Sequence, residues 1–225
     1  SPPLDEERIR VARAAYFALC EYADRQVGRV LDALRSCQLA HNTIVVYCSD
    51  HGEMAGEHGL WWKSAFYEGS AGVPLIISSE RFTDNGRVTN AICNLLDLGP
   101  TFLDLAGAEA IPYSDGKSLL PLFNNPDNIE GFSETYSETV DVPGEERSVP
   151  FTVENNLPVR MIRSGRWKLW SYGDSANLPP ALFDLQTDPL ETQDLAEDPQ
   201  YDGVRIALLR KLHTGWNPAE VSVQA

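Results

Sequence analysis

The sequence predicts an α/β protein in two parts: a layered half of helices and mostly parallel strands, then a small antiparallel sheet with one helix. Three observations carry this reading. Apolar side chains recur every three or four positions through residues 5–36. Two short runs, Thr43 to Cys48 and Val73 to Ser78, are apolar without alternation. After about residue 128 the pattern changes to brief strand-like pieces between turn residues. The chain accordingly divides at 1–128 and 129–225.

Ile9, Ala12, Tyr16, Leu19, Ala23, Val27, Val30 and Leu34 trace one face of a long helix. Pro2-Pro3 bars a helix before it, and Asp5 to Glu7 put negative charge in its first turn, where the helix dipole favours it. The continuous β-branched and aromatic run Thr43 to Cys48 reads as a strand covered on both faces, which usually means a parallel sheet. Val73 to Ser78 reads the same way, with Pro74 at its start. Asn90 to Leu105 carries a helical pattern interrupted by Gly99-Pro100 and ended by Gly107, and Leu119 to Phe123 fits a short helical turn. Tyr136 to Val140, Val159 to Arg163, Trp167 to Tyr172 and Leu182 to Leu185 are the later strands, with Ser164-Gly165 as a hairpin turn. Asp141 to Asn156 is an exposed loop by composition, and Val204 to Leu212 a closing helix.

Composition narrows the function classes. The 225 residues carry 18 Lys and Arg against 33 Asp and Glu, a formal net charge of −15. Such a surface disfavours phosphate-backbone binding, so no nucleic-acid role is expected. Every apolar stretch falls far short of the ~20 residues of a membrane span. Cys20, Cys37, Cys48 and Cys93 are scattered, with no C-x-x-C pair, and read as reduced thiols, Cys48 as a small buried hydrophobe.

The chemistry concentrates in Ser49-Asp50-His51-Gly52-Glu53-Met54-Ala55-Gly56-Glu57-His58-Gly59-Leu60-Trp61-Trp62-Lys63, directly after a strand's carboxyl end, where open α/β sheets place ligands. Adjacent Asp50 and His51 could offer one oxygen and one nitrogen to a divalent cation, and Lys63 could return to pair with an anion beside it. Asp-His-Gly is also a common turn, so the residues alone leave a metal site and a plain turn both open.

This segment, followed by Phe66-Tyr67-Glu68-Gly69-Ser70 and Val73-Pro74-Leu75-Ile76-Ile77, resembles the late core motif of the sulfatase family, within the alkaline phosphatase superfamily. Tyr22 to Leu31, Asp97 to Gly107, Asp115 to Leu122, Gly165 to Leu169, and Leu182 to Leu185 with Asp188-Pro189 match further family segments in order. The resemblance implies the carboxy-terminal part of an alkaline-phosphatase-like α/β sandwich and a metal-dependent sulfuric ester hydrolase acting on a small sulfate ester. It implies Asp50 and His51 as metal ligands and Lys63 as the lysine that contacts the sulfate. The cation it implies is calcium, with manganese or magnesium as alternatives. Glu57 and His58 match family positions and read as organisers of the loop.

The family's nucleophile is a formylglycine made from the Cys of C-x-P-x-R, and none of the four cysteines has that context. The nucleophile is therefore expected upstream of Ser1, the Ser-Pro-Pro start reads as a cut into a longer chain, and these residues alone are expected to be inactive. The missing part or a second copy, as a homo-oligomer, would cover apolar edges. Lys63 to Leu75 looks most like choline-sulfatase-type members, which hold a quaternary ammonium with aromatic rings and a carboxylate. Glu138, with Glu134 as neighbour, sits where that carboxylate could be, and Trp62 could face substrate. The stretch 141–156 departs from that branch. Trp167, Trp170 and Tyr172 read as sheet packing. A phosphonate or phosphodiester hydrolase of the same superfamily and a non-catalytic truncated module are the alternatives. The compartment is left open between cytoplasm and periplasm.

Overall fold

In a computed structural model the described residues are 5–63, 65–82, 86–127, 129–139, 158–173 and 178–218. The expected loop 141–156 lies outside them. The chain forms two compact units, residues 1–87 and 88–225. The sequence division at 128/129 differs because the segment before it is tied to the later sheet. Ile92 N–H donates to Phe132 O at 2.7 Å, and the Asn94 side-chain amide donates to Tyr136 O at 2.9 Å.

The first unit opens with α1 (Glu6–Ser36), started by Asp5, whose carboxylate accepts the Arg8 N–H at 2.8 Å. This is a side-chain N-cap, which satisfies a donor the helix itself leaves unpaired. After a short 3₁₀ turn come β1 (Val45–Cys48), the two-residue strands β2 (Met54–Ala55) and β3 (Trp61–Trp62), the short α2 (Glu68–Ala71) and β4 (Leu75–Ser78). β1 and β4 pair with Val46 opposite Ile77, and β2 pairs with β3.

Two expectations change here. The apolar runs predict parallel strands, yet β1 and β4 are antiparallel, and Tyr47, Cys48 and Ile76 are exposed. An unbroken apolar run carries no information on strand direction, and neither β1 nor β4 is covered on both faces. Likewise α1 forms where its periodicity predicts, but none of its residues is buried, and Leu19 and Val30 stand in solvent.

The second unit begins with a 3₁₀ turn at Leu95–Asp97, where the Asn94 and Asp97 side chains form a reciprocal capping box. It leads into α3 (Leu98–Ala106), which ends at Gly107 with φ 64°. The short α4 (Leu120–Asn124) follows. Then β5 (Glu134–Thr139), β6 (Val159–Ser164), β7 (Trp167–Tyr172) and β8 (Ala181–Asp184) form an antiparallel meander in that order. The closing α5 (Asp202–His213) supplies Leu208 and Leu212 to a core with Ile162, Leu169, Leu182, Leu195 and Ala196. This is the small antiparallel sheet with one helix that the sequence predicts. Trp170 is buried and stacks on Phe183 at 5.1 Å, and its indole N–H donates to Tyr172 at 3.2 Å. Among the described residues no helix is long and apolar enough to cross a membrane.

Candidate active site

The site lies wholly in the first unit, on the loop that leaves β1 and returns through the β2–β3 hairpin. Its start is fixed by hydrogen bonds to the chain itself. Ser49 Oγ donates to His51 O at 2.5 Å, and Asp50 Oδ1 accepts the His51 N–H at 3.0 Å. The next residue anchors the loop on α2: Gly52 N–H donates to Ser70 O at 2.8 Å. A Cβ at Gly52 would lie 2.2 Å from Gly69 O and 2.8 Å from Gly72 O, so only glycine lets the two backbones approach this closely.

This start brings the predicted residues together. His51 Nδ1 donates to Gly52 O at 2.7 Å, which fixes the proton on Nδ1 and leaves the Nε2 lone pair outward. The Lys63 ammonium donates to Nε2 at 3.0 Å, and Asp50 Oδ2 lies 3.4 Å from the same nitrogen. One imidazole nitrogen and one carboxylate oxygen thus converge beside an ammonium. A backbone carbonyl holding the other ring nitrogen is the usual support for an imidazole that ligates metal. The pair fits two positions of a divalent cation's ligand shell. Among the described residues no cluster of three or more His, Cys, Asp and Glu side chains could hold a metal, so Asp50 and His51 would be part of a larger set.

Around this point the hairpin is shaped by unusual backbone. Gly56 (φ 98°), His58 (φ 53°), Gly59 (φ 72°) and Trp62 (φ 70°) all lie in the left-handed region. For a residue as bulky as Trp62 that conformation is unfavourable, and the residue is 63% exposed next to Lys63. His58 stacks flat on Tyr67, with ring centroids 3.9 Å apart and planes at 6°. Glu57 serves the loop's own backbone, accepting the Ala55 N–H at 2.6 Å.

Glu138 belongs to the second unit. It lies on β5 opposite Arg160, half exposed, with Arg160 Nε 3.8 Å from its carboxylate. The Arg160 guanidinium also stands over the rings of Tyr136 and Trp216, at 5.0 and 5.5 Å. A cation of the protein itself thus already occupies the aromatic faces near Glu138. Glu134 is committed to Lys211, with Tyr136 and Ser164 also bonded to it. The Lys211 hydrogen bond above all holds its carboxyl below the usual range.

Sequence reasoning did not single out Arg13, Gly52 or Tyr67. Gly52, between a site histidine and a strand, carried a signal of close backbone approach. Arg13, on a helix far upstream, carried none.

The fold and this loop define the class: an alkaline-phosphatase-like α/β protein with a candidate metal and anion site after a core strand. The model for the C-terminal region of N-sulphoglucosamine sulphohydrolase matches residues 56–216, and the sulfatase model matches residues 2–108. The chain belongs to the sulfatase family. It is 39% identical over 198 residues to a choline-sulfatase of Rhizobium meliloti (strain 1021), covering 87% of this chain and 35% of that protein. It is 36% identical over 217 residues to arylsulfatase K of Canis lupus familiaris, covering 96% and 39%. Among solved structures, a 2-O GAG sulfatase superposes with TM-score 0.79 at 28% identity, over 94% of this chain and 45% of that one. A phosphonate monoester hydrolase from Silicibacter pomeroyi gives TM-score 0.80 at 30% identity, over 95% and 43%. The chain thus spans less than half the length of these relatives.

Proposed function

We propose that the protein carrying this chain is a metal-dependent sulfuric ester hydrolase acting on a small sulfate ester. The observation that carries the reading is that Lys63 Nζ and Asp50 Oδ2, from the end and the start of one loop, lie 3.0 and 3.4 Å from His51 Nε2. Asp50 and His51 would hold a divalent cation, calcium first, with manganese and magnesium as alternatives. When bound, that ion supplies Lewis-acid stabilisation of charge on a tetrahedral sulfuryl group.

Each residue's task follows from its chemistry. Lys63 donates to Nε2 at 3.0 Å in the structure, and a cation taking that lone pair would turn the ammonium toward the sulfuryl oxygens, where negative charge grows. The Gly52 carbonyl keeps the His51 proton on Nδ1, so that Nε2 stays a donor of electrons. Trp62 offers an exposed aromatic face beside Lys63 for the organic part of the substrate. It carries more of the substrate-binding proposal than Glu138, which already faces Arg160. The family's formylglycine does not fit any cysteine here, and in this reading it comes from residues outside these 225.

The similarity to a choline-sulfatase and to arylsulfatase K favours sulfate esters, whereas the similarity to a phosphonate monoester hydrolase favours the alternative. Parallel assays of the full-length protein with an aryl sulfate, choline sulfate, a phosphodiester and a phosphonate monoester decide between them. Faster turnover of a sulfate ester, lost on chelation and restored by calcium, manganese or magnesium, is expected. Faster phosphonate or phosphodiester hydrolysis, or turnover unaffected by chelation, would overturn the reading.

A further inference from the structure

The loop between His51 and Lys63 is tied to α1 by one side chain. Arg13 Nε donates to Ala55 O at 2.6 Å, and an Arg13 terminal nitrogen lies 3.4 Å from Glu57 Oε1. Glu57 Oε2 in turn accepts the Ala55 N–H at 2.6 Å. Ala55 is only 9% exposed and stands opposite Trp61 in the β2–β3 ladder. In an antiparallel pair alternate residues turn both backbone polar groups away from the partner strand, and Ala55 is such a residue. Both of its outward groups are therefore satisfied by charged side chains, one from α1 and one from the hairpin tip. Beyond it Gly56 N–H donates to Leu60 O and Leu60 N–H to Glu57 O, each at 2.8 Å, closing the turn.

A ladder of two residues on each strand has little power to fix its own register, and an isolated two-stranded hairpin is marginal in water. Yet the direction in which β3 leaves this turn decides where Lys63 meets His51 and Asp50. We propose that Arg13 and Glu57 are positioning residues for Lys63: their clasp on Ala55 holds the hairpin in the register that delivers the ammonium to the site. Both act through the backbone of the hairpin. The proposal rests on the reading of Lys63 as the group that stabilises charge.

The geometry separates this role from general support of the fold. Arg13 uses two nitrogens of its planar guanidinium for two acceptors, Ala55 O and Glu57, in a fixed fork that the point-like ammonium of a lysine does not reproduce. Misplacing a reacting group by about 1 Å can cost on the order of a hundredfold in rate. Loss of the clasp should therefore fall on kcat, and it should matter only while Lys63 is there to be misplaced.

The test is a double-mutant cycle in the full-length protein, read by sulfate-ester kinetics and by amide hydrogen exchange. Arg13→Gln and Glu57→Gln should each lower kcat by about ten- to a hundredfold, more than they change KM. Arg13→Lys should recover part of the loss. In a Lys63→Ala background the further loss on adding either glutamine variant should shrink to about threefold or less. Losses that multiply in full in that background, or an unchanged kcat in both glutamine variants, would overturn the proposal. Glu57→Gln retains the test if Arg13→Gln fails to fold. Exchange at Ala55 and Lys63 needs no activity. Faster exchange at both amides in the glutamine variants supports the coupling, and faster exchange at Ala55 alone refutes it. A wild-type protein that turns over no sulfate ester would instead sink the reading of the site, and the exchange data would still decide whether the clasp governs Lys63.

Discussion

The two units are held together in different ways. The second closes seven apolar side chains from β6, β7, β8, α5 and the loop between them into a core. It also buries the ion pair Lys168–Glu191 at 2.8 Å, with side chains 0% and 2% exposed. The first unit buries little among its described residues. Met54, Ala55, Phe66 and Ser70 lie on the site loop and the α2 segment behind it, with Ser79 beside β4. Its loop is organised by backbone hydrogen bonds, by a glycine with no room for a side chain, and by a charged clasp. Hydrophobic burial thus sets the stability of one unit, while polar contacts and close packing set the geometry of the other.

Substitutions should separate the two regimes. Lys168→Ala removes the ammonium 2.8 Å from the buried Glu191 carboxylate and should cost about 3–5 kcal/mol in urea unfolding. A loss below about 1 kcal/mol would erase the contrast. Lys63→Ala should lower kcat about a hundredfold or more in the full-length protein, while stability moves by no more than about 0.5 kcal/mol. Near-wild-type kinetics would remove Lys63 from the chemistry. Trp62→Gly relieves a left-handed backbone and should raise stability by up to about 1 kcal/mol, while KM for a sulfate ester rises. A loss of stability with unchanged KM would mark Trp62 as structural.

The smallest effect is a pH dependence in the second unit. The Arg166 hydrogen bond, with help from Thr187 and the Gln186 N–H and against the effect of burial, holds the Asp184 carboxyl below its ordinary range. A lowered folded pKa gives stability that is present above the unfolded value of about 3.9 and is lost as pH falls through the folded one. Acid unfolding monitored by Trp fluorescence should therefore shift to higher pH in Asp184→Asn at its onset. The acid sensitivity contributed below about pH 4 should disappear with the carboxyl. An unchanged acid limb would show that Asp184 is not part of it.

Much of this was legible in the residues, for reasons that differ by region. The α1 helix, the meander and α5 follow from periodicity and turn residues, because those patterns encode local geometry directly. Asp50, His51 and Lys63 were legible as a group because they share one loop, and the structure brings Asp50 and Lys63 each within 3.4 Å of His51 Nε2. Strand direction in β1 and β4 was not legible, since an apolar run is the same read either way. Arg13 was not legible because its partner Ala55 is 42 residues away and offers only backbone atoms. The division into units at 87/88 follows contacts of the same kind: a side-chain amide on Asn94 bonds a carbonyl 42 residues later, and no pattern in the intervening residues announces it.

The close approach at Gly52 limits what can be substituted there. Every alternative amino acid at that position adds a carbon where two carbonyl oxygens already stand. Any side chain there requires the backbone at Gly69 and Gly72 to move away. The residues that could do chemistry in this loop, Asp50, His51 and Lys63, can each be exchanged for another side chain without a steric collision at Gly52. The steric limit at Gly52 therefore constrains this loop independently of whatever chemistry its polar side chains perform.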